Sequence, residues 1–402
     1  MPNPYRDLFR APGALAFASA GFVARLPIAM APIGIVTMLA QTHGAYWLAG
    51  AVAAAFTLTN ALAAPQISRL VDRFGQGRLL APTTGVSVLG FVGLILATRH
   101  GWPDWTLFAG AAGAAAMPSI PAMVRARWTE LFRGRPELNT AFALESSADE
   151  LLYIAGASLS VGLSVGLFPE AGLVASTLAL AVGSAAFVAQ RGTEPPVRGA
   201  DGRPPRPAIA LAPVQVVTLA LVFVGAIFAT AEVSTVALTR ELGQPGAASP
   251  VIAVYASGSF VVGLVMGALN LKTPLQRQLL VALGALLATS LPLLLAHSVW
   301  FLAGAIFLSG LAVSPTFITA FGLVERRVPA EVLTEGITWV MTGIGVGMAM
   351  GAFVSGWVVD AWGARAGFRV TLVAASAALL VAALGQGVLA GRPSRTAPAP
   401  AE

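Results

Sequence analysis

The residues most able to do chemistry in this chain are the few charges set deep inside apolar stretches. Arg25 lies thirteen residues into a run that begins near residue 12. At 1.5 Å per helical residue it is about 20 Å from the run's basic end. A charge at that depth is costly and marks an ion or substrate pathway, so Arg25 needs an anionic partner, a water-filled cavity or an anionic substrate. A second run opens with Glu145, Asp149 and Glu150. Glu145 and Asp149 are four apart and share a helical face; Glu150 is turned about 100° away. Three acids against one arginine leave at least one carboxylate without a fixed cation. Burial disfavours such a charge, so Asp149 or Glu150 is a candidate proton-coupling site. The competing reading is a static ion-pair network.

Other chemistry is excluded. The chain has no Cys, which removes disulfides, thiolates and Cys-ligated metals. His43, His100 and His297 all fall at the ends of apolar runs, so no intramembrane metal site or histidine relay is expected. Asp149 and Glu150 are adjacent and point apart, unlike a paired-acid hydrolase. No nucleotide-binding loop is present. The chain therefore does not read as an enzyme, and no cofactor is implied.

The elements that hold these residues are membrane helices. Twelve apolar stretches fill the sequence, near 12–40, 46–68, 79–98, 104–124, 139–167, 170–190, 209–238, 249–270, 276–297, 299–322, 333–359 and 367–391. Each is long enough to cross a hydrocarbon core of about 30 Å. Hydrophobic residues make up 56% of the 402 and charged residues only 10%, with a mean hydropathy of +0.79. Basic residues collect in alternate loops: Arg6 and Arg10; Arg69, Arg73 and Arg78; Arg125, Arg127, Arg133 and Arg135; Arg191, Arg198, Arg203 and Arg206; Lys272 and Arg277; Arg326 and Arg327; Arg392 and Arg395. Loops rich in Lys and Arg face the cytoplasm. Both termini are expected there, in a multi-pass protein of a bacterial inner (plasma) membrane. The same distribution explains the net charge of +6 without nucleic acid. Trp47, Trp102, Trp105, Trp300 and Trp362 stand at the opposite ends, as an aromatic belt would. The run after Arg10 is too long for a signal peptide and reads as an uncleaved first helix.

The chain divides at residues 191–208, a charged, Pro- and Gly-rich linker. It separates an N-terminal six-helix half (1–190) from a C-terminal one (209–391), and a disordered tail follows (392–402). The halves read as pseudo-symmetric repeats: Gly113 and Pro118 match Gly310 and Pro315, and Glu145 and Gly156 match Glu335 and Gly347, at a nearly constant offset. Repeats of this kind characterise secondary transporters. Pro118, Pro121 and Pro315 should kink spans four and ten.

Between spans two and three the sequence reads Ser68-Arg69-Leu70-Val71-Asp72-Arg73-Phe74-Gly75-Gln76-Gly77-Arg78. With the six-plus-six arrangement, this loop resembles the signature of the major facilitator superfamily. Asp72, Arg73, Gly75 and Arg78 match it; Ser68 replaces its opening Gly, and Gln76-Gly77 stand where basic residues are usual. The resemblance implies a cytoplasmic gate in which Asp72 meets the N-terminus of span eleven, with Glu145 and Glu335 as further gate residues. The counterpart loop, Asn270 to Arg277, has no acid. Spans one and five are neighbours in that fold, so Arg25 meets Asp149 or Glu150. Spans one, four, seven and ten line the cavity, so Glu232 on span seven is a second proton site or a cation-attracting one. Asn60, Tyr153 and Trp339, with Phe56 and Met341, are candidate cavity residues. Gly156, Gly162 and Gly166 partly resemble a glycine pattern of antiporters. The expected function is proton-coupled efflux of small amphiphilic or drug-like compounds by alternating access, as in bacterial drug and metabolite exporters of that superfamily. Its partners are a small-molecule substrate, protons and the lipid bilayer, and it is expected to act as a monomer. The alternative is an importer or facilitator of a small organic anion anchored by Arg25.

Overall fold

A computed structural model describes residues 4–43, 46–197, 206–269 and 273–391. Lys272, Arg198, Arg203, Arg392, Arg395, the Asn270–Leu271 stretch, the tail from 392 and the Trp47 side chain lie outside the described residues. Among those described, the regular elements are all helices. In lipid this is a necessity, because a helix satisfies its own backbone hydrogen bonds.

The first unit comprises Met1–Ala141 and Ala148–Val197. Its spans are Ala14–Arg25 continued by Pro27–His43, then Tyr46–Phe74, Gln76–His100, Asp104–Ala114 with Ile120–Phe132, Glu137–Gly166 and Ala171–Ala189. The second unit comprises Phe142–Ser147 and Arg198–Glu402. Its spans are Ala212–Glu241, Ala248–Ala268, Leu275–Ser290 extended by Leu291–Leu295, Val299–Gly310 with Val313–Arg327, Leu333–Trp362 and Ala364–Leu384. Among the described residues, eleven helices are long and apolar enough to cross a membrane. The fourth span, split into Asp104–Ala114 and Ile120–Phe132 by the five residues between them, is the twelfth. The fold is thus an all-α membrane protein of twelve transmembrane helices.

The breaks fall where proline removes a backbone donor. Pro27 has no N–H for the Val23 carbonyl, and Leu26 N–H takes that carbonyl instead at 3.2 Å, tightening the turn directly after Arg25. Pro118 and Pro121 leave Ala115–Ser119 outside the helix in span four. Asn60 on span two donates to the freed Ala115 carbonyl at 2.9 Å. In span ten, Pro315 cannot bond Leu311, and the helix restarts at Val313.

Lipid supplies no hydrophobic drive between helices, so small residues that let backbones approach must do the packing. Gly343, Gly347 and Gly351 repeat every four residues on span eleven. A Cβ at each would press on span seven at the carbonyls of Thr218, Val222 and Ala226. Gly225 on span seven meets Ile344 in return. In the first unit Gly183 lies against Ala24, Gly21 against Val124, and Gly90 against Ala114. The first unit's apolar core is built by Ile35, Leu39, Val52, Phe91, Leu94 and Leu180. Phe56 belongs to this core at 3% exposure, with its ring 5.9 Å from Phe91, so it packs and does not line a cavity.

Gly347→Leu should destabilise the protein by about 1–3 kcal/mol or more, because the added atoms meet backbone and not a movable side chain. Gly345→Leu, with open space around its position, should change little. Thermal unfolding of the two variants in detergent checks the contrast.

Candidate functional site

The deep charges of the first unit come together in one cluster. Arg25 closes the first segment of span one, eleven residues past Ala14 and so about 17 Å along it. Its Nη1 donates to Asp149 Oδ1 at 2.7 Å, and its Nε to the Gly21 carbonyl at 3.3 Å. Arg125, on the second segment of span four, donates from Nη2 to Asp149 Oδ2 at 2.8 Å. Asp149 therefore bridges two guanidiniums, one to each oxygen. The arginine side chains are 1% and 0% exposed, and the aspartate 21%. Counted alone, this triad carries one net positive charge.

Two expectations change. Arg125 and Arg127 do not belong to a solvated basic loop: both are 0% exposed, inside the helix Ile120–Phe132. The balance of three acids to one arginine also fails, because Asp149 has two cationic partners. The apolar count of span four ended near residue 124, and this hid the fact that the helix continues and buries its next charges. The signal available was spacing: Arg125 lies seven residues from the helix end, about 10 Å deep.

Arg127 anchors a second cluster at the arginine-rich end of the same unit. Its Nε donates to Gln76 Oε1 and its Nη1 to the Gln190 carbonyl and Thr193 Oγ1, all at 2.8 Å, while Nη2 reaches the Phe187 carbonyl at 3.2 Å. The guanidinium also lies 3.8 Å above the Phe187 ring, an attractive cation–π placement. Gln76 donates on to the Met123 carbonyl at 3.2 Å. Beside this, Glu194 caps the start of span three, with Gly77 N–H donating to its carboxylate at 2.8 Å. Gly75 has φ of 93°, and a Cβ there or at Gly77 would crowd Glu194. The first residues of the 191–208 segment are therefore packed against the unit and are not a freely solvated linker. Gln76-Gly77, the departure from the superfamily pattern, make this contact possible.

The remaining candidates are placed as follows. Asp72 is half-buried; Arg73 and Arg78 are exposed, with Arg73 over the Phe74 ring at 5.2 Å. Glu145 is buried, in the turn that groups with the second unit. Glu150 is half-buried and Tyr153 is 48% exposed. In the second unit, Glu335 is buried and accepts from Trp339 Nε1 at 3.3 Å. Glu232 is exposed on span seven and makes no ion pair or hydrogen bond among the described residues. Gly156 packs on Ala29 of span one, but Gly162 and Gly166 have open space, so the three do not form one packing stripe. The described residues hold no group of His, Asp and Glu suited to a metal.

Arg127→Ala should cost several kcal/mol, because each buried acceptor it leaves costs about 1–3 kcal/mol. Arg127→Lys should recover only part of this, since one ammonium cannot span four acceptors placed around a planar fork. Thermal unfolding in detergent separates the two variants.

The family model described as Major Facilitator Superfamily matches residues 15–296 and 217–401. The fold is similar to that of a bacterial homologue of the iron transporter ferroportin, with a TM-score of 0.73 at 14% identity, over 92% of this chain and 98% of that one. It is similar to the E. coli fucose:proton symporter, with a TM-score of 0.69 at 15% identity and the same coverage. It also resembles the human organic anion transporter MFSD10, with a TM-score of 0.65 at 13% identity, over 96% of this chain and all of that one. Among curated proteins no match is found. A sequence model that spans nearly the whole chain, on a twelve-helix fold shared with solved carriers, is decisive: the chain is a multi-pass transporter, not an enzyme, and belongs to the major facilitator superfamily.

Proposed function

We propose that this secondary transporter moves small amphiphilic organic anions by alternating access, and that Arg25 and Arg125 attract the substrate's charge. One observation carries the reading: two fully buried arginines, Arg25 on span one and Arg125 on span four, converge on one carboxylate at membrane depth. Intramembrane cations of this kind are costly and pair with an anion. This favours the organic-anion alternative over drug efflux. A protonated Asp149 would sit neutral between two arginine cations at the loss of both ion pairs, so it makes a poor proton carrier. Any proton role falls to Glu150 or Glu232.

The second reading, proton-coupled efflux of amphiphilic compounds, rests on Glu232, a membrane-span acid without an ion pair among the described residues. In either case we read the host membrane as a bacterial plasma membrane with both chain ends cytoplasmic, from the arginine-rich alternate loops, and the working unit as a monomer. Asp72, Arg73, Gly75, Arg78, Glu145 and Glu335 are read as the gate at that face, Asn60 and Tyr153 as lining, and Trp339 as held by Glu335.

Proteoliposomes loaded with a fluorescent amphiphilic anion or cation test the choice, with a pH gradient imposed in each direction. The anion should move, and Arg125→Gln should slow it about tenfold or more, as losing one charged hydrogen bond of about 1.5–3 kcal/mol implies. Movement of the cation alone, driven by the gradient and abolished by Glu232→Gln, would establish efflux instead.

A further inference from the structure

We propose that Arg327, with Arg326 beside it, forms a binding site for an anionic phosphate group at the arginine-rich end of the second unit. Span ten ends on these two residues. Arg326 is exposed, as a basic residue at a membrane surface commonly is. Arg327 differs: it is part-buried, its Nε and Nη1 are shut off from solvent, and neither makes a hydrogen bond. Only Nη2 reaches the surface. A basic residue in a last helical turn ordinarily serves that turn's free carbonyls, but Arg327 donates to none of them. Polar atoms buried without partners, and a cation without an anion, are costly.

The first unit shows how an arginine in a comparable place is satisfied. Arg127, near the end of span four, gives its donors to Gln76 at the start of span three and to Gln190 and Thr193 at the end of span six. Gln276 and Gln386 hold the matching places in the second unit, and they bond to one another. Gln386 Nε2 donates to the Gln276 carbonyl and to the Ala382 carbonyl, each at 3.1 Å. Spans nine and twelve are thus joined without the arginine. No acid takes their place. Glu331, four residues on, makes no ion pair among the described residues, and Glu325 and Glu335 have partners of their own.

The surroundings favour an anion. Gly322 of span ten packs on Leu275, the first residue of span nine, and Val324 and Val328 pack on Gly336 in the first turn of span eleven. Both spans therefore begin beside the end of span ten. Neither N-cap residue, Pro274 or Val332, caps its helix with a side chain. Helix starts carry partial positive charge and suit phosphate, and the guanidinium fork matches phosphate oxygens. Depth points to the source. Span ten with its break runs for 29 residues, Val299–Arg327. That is about 44 Å at 1.5 Å per residue, which carries its last turn past the hydrocarbon and into the headgroups. A phospholipid phosphate is within reach there, and so is free phosphate from solution.

The test is thermal unfolding of the purified full-length protein in detergent. It is titrated separately with dioctanoyl phosphatidylglycerol, dioctanoyl phosphatidylcholine and sodium phosphate at matched ionic strength. Phosphatidylglycerol should raise the unfolding temperature of wild type, and phosphatidylcholine, whose trimethylammonium group Arg326 repels, should not. Arg327→Gln should bind phosphatidylglycerol about tenfold or more weakly, as losing one charged hydrogen bond implies. Arg326→Gln should weaken it less, and Arg365→Gln, an equal loss of charge at the opposite end, should not. Arg327→Lys keeps the charge without the fork, should be intermediate, and carries the comparison if Arg327→Gln does not fold. A response to sodium phosphate and not to phosphatidylglycerol, still dependent on Arg327, upholds the site and assigns its ligand to solution. A response that both Arg327 variants leave intact, or no response to either anion, overturns the site.

Discussion

An arginine about 17 Å along a membrane helix has no solvent to turn to, and the surroundings of Arg25 are organised around that fact. Its helix ends at Arg25, where Leu26 N–H tightens the turn before Pro27, and the side chain folds back on the Gly21 carbonyl. Gly183 and Gly21 let spans six and four close in on either side. Asp149 then arrives from span five to take the charge. Arg125 converges on the same carboxylate, so two buried cations meet one acid at a depth where charge marks a functional site.

The two units solve helix packing with the same device but different emphasis. In the second, a glycine every four residues on span eleven brings its backbone onto span seven. Aromatic contacts there include Phe228 on Phe317 and on Tyr255, each at 5.7 Å. In the first unit, buried arginines carry the polar load: Arg125 and Arg25 at the triad, Arg127 at the clasp that ties span four to the start of span three and the end of span six. An arginine is suited to both places, since its planar fork serves several acceptors at once.

The sequence exposes the membrane fold readily, because twenty apolar residues in a row have few other uses. The Arg25–Asp149 pair was also within reach once spans one and five were taken as neighbours. Arg125 was not. Hydropathy ends a span where charge begins, yet here the helix runs on to Phe132 and buries Arg125 and Arg127. Charge alone cannot tell a loop arginine from one whose partners come from distant helices. Glu194 shows the same limit: in a Pro-rich segment it reads as solvated, and only the three-dimensional chain brings it to Gly77. Phe56 fails in the opposite direction, since an aromatic on an apolar helix fits a cavity or a core equally well by sequence.

The most direct measurement is a structure of the full chain by electron cryomicroscopy, with and without a bound aromatic carboxylate. The account predicts the ligand's anionic group at the cluster of Arg25, Arg125 and Asp149. A ligand seated away from that cluster would contradict it.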